Sequence, residues 1–229
     1  ITASEAATTI ATGGKGANQA IALAKLSDPK EVEVEFVGVF GSDAYSDGLR
    51  SSLSEAGVRV DRSFESPLES GAGYVLLETG DGTATSVVVA GANGDWMRQG
   101  QAHVRAHLAA LVAEAAVVLL QREVPEEVNA MVLKAARDLG GPPVLLDAGG
   151  QDRPLEDEGL RGVAVLCPNE SELERLTGLP VGSEAEVLAA VEALQRRGAK
   201  DVLVTLGERG MVLVREDGLV VQQGAVAVP

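Results

Sequence analysis

Along most of the chain, short apolar runs alternate with longer stretches whose apolar positions recur every three or four residues. The runs at 116–120, 144–147, 163–166 and 202–205 are nearly free of polar residues. Continuous apolar runs of that length read as strands covered on both faces. The stretches at 44–56, 101–114, 125–139, 170–177 and 183–197 carry helical periodicity. The first of these ends at Gly57, and Pro125 stands in the first turn of the third, where its missing N–H is not needed. A β-branched run at 32–39 predicts a further strand, and the apolar stretch at 20–26 an opening helix.

Two places break the rhythm. Residues 74–78 and 85–90 flank Thr79-Gly80-Asp81-Gly82, and residues 211–215 and 219–222 flank Asp217-Gly218. Each pair predicts a β-hairpin closed by an Asp-Gly turn. Elsewhere the alternation of buried strands and helices predicts an α/β fold, a doubly wound and mostly parallel sheet flanked by helices. The first hairpin, with the stretch before Gly13, predicts a small β-sheet lid beside that body, able to close over a cleft. No tandem repeat, low-complexity tract or linker is visible. The expectation is one domain over residues 1–229, incomplete, with lid strands at approximately 1–12 and 62–90.

Hydrophobic residues make up 45% of the 229, enough for a folded globule. Thirty-four Asp and Glu against 19 Lys and Arg set the net charge at −15. Such a surface repels phosphate backbones and anionic lipids, which argues against nucleic-acid and membrane partners. Any anionic ligand must therefore find local positive charge. Cys167 is the single cysteine, which excludes an internal disulfide framework and reads as a buried strand residue. His103 and His107 share a helical face. No glutamate stands between them as in His-Glu-x-x-His, and no third ligand lies nearby, so they read as a solvated polar face. No stretch approaches the ~18 apolar residues of a membrane-spanning helix, and no signal peptide is visible. The expected compartment is the cytoplasm, with an organelle left open because a targeting segment would precede Ile1.

Four constellations can carry chemistry. The run Gly13-Gly14-Lys15-Gly16-Ala17-Asn18-Gln19 opens a helix. Its glycines allow close backbone approach, Lys15 brings a cation, and Asn18 offers both a donor and an acceptor. The first-turn N–H groups face whatever occupies the turn, which suits a hydroxyl-rich or anionic small molecule. Glu123 follows the run at 116–120, where a carboxylate either accepts from two sugar hydroxyls or is simply solvated beside a helix start. Pro168-Asn169-Glu170-Ser171-Glu172 follows the run at 163–166. The helix dipole alone accounts for its two carboxylates; a functional reading gives Asn169 a phosphate contact and Glu172 a water-mediated hold on Mg²⁺. Thr205-Leu206-Gly207-Glu208-Arg209-Gly210 is either a tight turn or a backbone cradle for a phosphate chain.

Taken together and in this order, these segments resemble the ribokinase-like (PfkB) carbohydrate kinases. Phe40-Gly41-Ser42-Asp43 with Gly48, Ala90-Gly91-Ala92-Asn93 and Leu120-Gln121-Arg122-Glu123 extend the likeness over essentially the whole chain. The ribokinase-type glycine run is the most specific of them. The resemblance implies ATP-dependent phosphorylation of a sugar's primary hydroxyl, D-ribose to D-ribose 5-phosphate. It gives Gly14, Lys15, Gly16, Ala17 and Asn18, with Glu123, to the sugar. Asn169 and the segment Thr205, Leu206, Gly207, Glu208, Arg209 and Gly210 fall to ATP, and Glu172 to Mg²⁺ through water. It also implies a monovalent cation, K⁺, whose site is not in this chain. The exposed lid sheet, for its part, suggests a homodimer in which the lids pair. Two alternatives stay open: another PfkB-type sugar or nucleoside kinase, and a truncated, non-catalytic sugar-binding pseudo-kinase.

The resemblance has gaps. The family's base, an aspartate in a Gly-Ala-Gly-Asp type motif, is expected beyond Pro229, so no catalytic residue is assigned in this chain; a first strand with a sugar-binding aspartate would precede Ile1. Asp147-Ala148-Gly149-Gly150 stands where many relatives have an Asn-Pro-Ala type sequence, and Arg122 replaces a usually apolar residue beside Glu123. The 229-residue chain alone is accordingly expected to have no kinase activity. Ribose-dependent ADP release by the purified chain, abolished by a Lys15 or Glu123 substitution, would refute this.

Overall fold

A computed structural model of the protein describes residues 10–77, 84–150 and 153–226. The chain divides into two compact units, Ile1–Asp95 and Trp96–Pro229.

In the first unit, α1 (Lys15–Leu26) starts at Lys15, so most of the glycine run forms the helix's first turn instead of preceding it. Ala17 and Ala20 are buried, and Ile21 and Ala24 pack beside them, a stripe at helical spacing. They meet Val34, Phe40, Leu53 and Val58 in one small core.

The strand predicted at 32–39 is realised only at its end, as β1 (Val39–Phe40), paired in parallel with β2 (Phe64–Glu65). The cause is a bulge. Glu35 bridges Arg59 and Val39 pairs with Phe64, so the second segment carries one residue more than the first between the two pairings. Ser63 repairs the interruption: its hydroxyl donates to the Phe36 carbonyl at 3.1 Å and accepts from the Gly38 N–H at 3.2 Å.

Asp43 caps α2 (Ala44–Glu55), accepting from the Ser46 N–H at 2.9 Å. It also accepts from the Ser70 N–H and hydroxyl, both at 2.7 Å. The Ser70 hydroxyl and N–H, with the Ser46 N–H, hold the Asp43 carboxyl below the usual carboxylate range. Beyond Ser70 the predicted hairpin forms, β3 (Ala72–Leu77) against β4 (Ala84–Val89), in register from Ala72–Val89 to Leu77–Ala84. Its turn at 79–82 lies outside the described residues, as do residues 1–9 of the expected lid; residues 10–12 form no strand.

The second unit follows the predicted elements closely. In order they are α3 (Gln101–Glu114), β5 (Val118–Leu120), α4 (Glu126–Leu139), β6 (Val144–Asp147), α5 (Asp157–Leu160), β7 (Val165–Cys167), α6 (Glu170–Thr177), α7 (Glu184–Arg196), β8 (Asp201–Thr205), β9 (Met211–Val214) and β10 (Val220–Gln223). They build a six-stranded sheet of order β10-β9-β8-β7-β6-β5. Strands β5 to β8 are parallel, and β9 and β10 return antiparallel. The fold is therefore α/β with a mostly parallel sheet, as the alternating pattern predicts. Among the described residues, α5, a single turn, and a 3₁₀ turn at Trp96–Gln99 are not foreshadowed by the pattern.

The sheet's core is aliphatic: Val144, Leu146, Leu166, Val202 and Val204 are buried, as are Leu173, Val187, Val191 and Leu194 from α6 and α7. Helix α7 is started by a capping box between Ser183 and Glu186. Because β5 to β8 run in parallel, the segments leaving their carboxyl ends all lie along one edge of the sheet.

Leu146 is 1% exposed and Leu139 is 53% exposed. Leu146→Ala is expected to lower unfolding free energy by about 2–5 kcal/mol, and Leu139→Ala by less than about 0.5 kcal/mol. Equal losses in urea melts would contradict the assignment of the core.

Candidate functional site

The carboxyl ends of β7 and β8 are joined to each other. The Thr205 N–H donates to the Pro168 carbonyl at 3.1 Å, and Asn169 bridges Thr205 in parallel. Asn169 then starts α6 through a capping box: its Oδ1 accepts from the Glu172 N–H at 2.8 Å, and its own N–H donates to Glu172 Oε2 at 2.9 Å. Ser171 Oγ also donates to Asn169 Oδ1, at 2.9 Å. Glu172, only 8% exposed, thus has one carboxylate oxygen committed to the helix start. The Asn169 side-chain N–H groups make no hydrogen bond among the described residues.

The segment after Thr205 is a hairpin loop, since Thr205 pairs with Met211 in the β8–β9 ladder. A 3₁₀ turn at Gly207–Arg209 folds it back, and the Leu206 N–H reaches the Gly210 carbonyl at 2.8 Å. Arg209 ties the turn down. Its guanidinium pairs with Glu170 and donates to the carbonyls of Val181 at 3.2 Å and Gly182 at 3.3 Å. That cation is therefore shared with three protein acceptors. Asn169, Glu170, Ser171, Thr205, Gly207 and Gly210 line an open depression of about 530 Å³. Glu170 and Ser171 belong to it although sequence reasoning gave them no ligand role. Their place directly after Asn169, in the first turn of α6, was the available signal.

Glu123 stands at the carboxyl end of β5, exposed. Its neighbour Arg122 is fully buried. Between these ends, Asp147 closes β6, its Oδ1 accepting from the Gly149 N–H at 2.8 Å, and pairs in register with Cys167. Burial, with the Asp147 charge beside it, pushes the Cys167 thiol up to about 11. It is a neutral side chain at pH 7 and not an activated nucleophile. His103 and His107 stack on α3 with ring centroids 6.3 Å apart. Among the described residues no group of three or more His, Cys, Asp or Glu is arranged to hold a metal ion.

The glycine run belongs to the first unit. Gly14 is the residue before α1, Lys15 and Gly16 are half-buried, Ala17 is buried in the core, and Asn18 is exposed. The Asn18 N–H closes the first helical bond, to the Gly14 carbonyl at 2.9 Å. The backbone N–H groups of Lys15, Gly16 and Ala17 precede that bond and so have no intrahelical acceptor. The structure thus gathers Asn169 and the Thr205 loop at one point, sets Glu123 on the same sheet edge, and carries the glycine run in the other unit.

The loop's two glycines differ in what they require. Gly207 has φ +55 with open space at its Cβ position. Gly210 has φ +87, and a Cβ there would stand 2.0 Å from the Gln223 carbonyl oxygen. Gly207→Ala is expected to cost about 1–2 kcal/mol, the ordinary penalty of the left-handed region. Gly210→Ala is expected to cost well beyond that and to loosen the β8–β9 turn. Equal urea midpoints for the two variants would count against this geometry.

Residues 2–228 match the pfkB family carbohydrate kinase pattern. The chain is 36% identical to a ribokinase of Arabidopsis thaliana over 93% of its own length and 55% of the relative's. It is 33% identical to a Bacillus subtilis ribokinase over 88% of its length and 65% of the relative's. Among solved structures, Arabidopsis thaliana ribokinase complexed with ribose and ATP matches with a TM-score of 0.80 at 35% identity, covering 93% of this chain and 67% of that one. The chain spans between about half and two thirds of the curated relatives it matches here. By the family match over nearly its full length, the chain belongs to the pfkB family of carbohydrate kinases.

Proposed function

We propose that this protein is a ribokinase-type phosphotransferase, one that moves the terminal phosphoryl group of ATP onto the primary hydroxyl of D-ribose to give D-ribose 5-phosphate. The observation that carries the reading is the shared depression at the ends of β7 and β8, where a capped helix start and a two-glycine loop face the same space. Helix N-termini and glycine loops stabilise phosphate oxygens through backbone N–H groups. Phosphoryl transfer asks mainly for positioning and charge neutralisation.

In this reading Asn169 donates its side-chain N–H to a phosphate oxygen, and the loop from Thr205 to Gly210 wraps the phosphate chain. Arg209 contributes by fixing the loop, since its guanidinium is engaged by Glu170 and two carbonyls. On the sugar side, Gly14, Lys15, Gly16, Ala17, Asn18 and Glu123 contact the ribose. Lys15 and Asn18 act through polar groups, and Glu123 accepts from two hydroxyls.

Of the site residues, Glu172 would be the one to hold magnesium, and through water: Oε2 is taken by the Asn169 N–H, and no cluster of carboxylates stands among the described residues, so its other oxygen would bond a water of a hydrated ion. Bound there, the ion would neutralise charge developing on the transferred group. The family resemblance adds K⁺ and a base, and none of the described residues is given either role. The β3–β4 hairpin is the lid, and its exposed Tyr74, Val75, Val87, Val88 and Val89 are the surface on which a second copy would pair.

Calorimetric titration tests the reading. D-ribose should bind more tightly than D-fructose or adenosine, and ATP should bind in the presence of Mg²⁺. Glu123→Gln should weaken ribose about tenfold or more and leave ATP within about twofold, and Asn169→Ala should do the reverse. Preference for adenosine or fructose would move the assignment to another kinase of the family. Unchanged ribose affinity in both Lys15→Ala and Glu123→Gln would overturn it.

A further inference from the structure

Arg122 is the largest fully buried side chain among the described residues, and it stands directly before Glu123. Nothing in the proposed chemistry uses it. Its guanidinium donates Nε to Glu126 Oε1 at 2.7 Å, Nη1 to the Arg153 carbonyl at 2.9 Å, and Nη2 to the Pro154 carbonyl at 3.3 Å and to Glu126 again. Glu126 opens α4, whereas Arg153 and Pro154 lie in the segment that leaves β6. One side chain thus ties together the exits of two neighbouring parallel strands.

The backbone repeats the link. The Arg122 N–H donates to the Gly149 carbonyl at 3.2 Å, and Asn129, buried on α4, donates Nδ2 to the Gln121 carbonyl at 2.9 Å. Gly150 closes the arrangement from the other side. At φ +111 it lies so near that a Cβ would stand 2.8 Å from both the Arg122 carbonyl carbon and Cγ of Glu123. The stem of Glu123 therefore passes against bare backbone, with no room between them for a side chain at position 150. A buried guanidinium needs such a full set of acceptors, because losing one strands a charge.

We propose that Arg122 is a positioning residue: with Gly150 as the opposing wall, it fixes the β5–α4 turn so that the Glu123 carboxylate is held ready for the sugar. The inference rests on the reading of Glu123 as a sugar contact. Its physical content is preorganisation: a carboxylate already confined gives up less side-chain freedom when it takes two hydroxyls.

The test uses purified protein with D-ribose and ATP as probes, plus hydrogen exchange without ligand. Arg122→Met should raise exchange at residues 121–124, and it should weaken ribose about tenfold or more while ATP stays within about twofold. Arg122→Lys, which can still reach some of the acceptors, should regain part of the ribose affinity. Gly150→Ala, whose Cβ pushes on the Glu123 stem, should weaken ribose in the same selective way, and it decides the matter if Arg122→Met does not fold. Ribose affinity unchanged in a folded variant, or ribose and ATP falling together as a purely structural defect would make them, overturns the proposal. If Glu123→Gln leaves ribose binding intact, the reading of Glu123 itself falls and the positioning role with it. If Glu123→Gln abolishes binding while Arg122→Met and Gly150→Ala do not, only the positioning role falls.

Discussion

Parallel strands cannot be joined by a tight turn; after each one the chain must cross back over the sheet before the next can pair. In the second unit this happens between β5 and β6, β6 and β7, and β7 and β8, with helices α4, α5, α6 and α7 as the crossings. The crossings bury the strands in an aliphatic layer, and they also send every exit to the same edge. Glu123, Gly149, Asn169 and Thr205 are scattered over more than eighty residues of sequence. They come to one sheet edge because hydrophobic burial leaves them no other place. The chemistry at that edge is a by-product of a packing constraint.

Several loops in that unit are held by arginine. Arg122 joins the β5 and β6 exits, and Arg209 joins the β8–β9 turn to the segment before α7. Arg197 bonds the carbonyls of Leu155 and Leu176 and pairs with Asp157. Each guanidinium bonds carbonyls that no helix or strand claims, and a planar fork of five donors is suited to that work in a way an ammonium is not. The net charge of −15 therefore says little about these cations, of which Arg122 is fully buried and Arg197 and Arg209 are partly exposed. They serve backbone acceptors and carboxylates of their own unit.

The second unit was almost wholly legible in the sequence. Its parallel strands are mostly apolar, its helices periodic, and its helix starts marked by Pro125, Asn169 and Ser183. The first unit was less so. The run at 32–39 looked like an uninterrupted strand, because nothing in its own residues announces that the partner segment carries an extra residue. The glycine run looked like a loop, because glycine propensity favours one, yet Ala17 and Ala20 belong to a buried stripe and packing carries the helix back to Lys15. In the candidate site, Asn169 and the Thr205 loop were legible because local backbone chemistry marks them. The burial of Arg122 was not, since its acceptors at 153 and 154 lie some thirty residues away.

The loop from Thr205 to Gly210 is the exit of the last parallel strand and also the turn of an antiparallel pair. Its ends are registered by the β8–β9 ladder, and the end of β10 passes so close behind Gly210 that no side chain fits there. Such a loop does not wait for a ligand to give it shape. Binding to a loop pinned at both ends forfeits less conformational entropy than binding to one that must first be ordered.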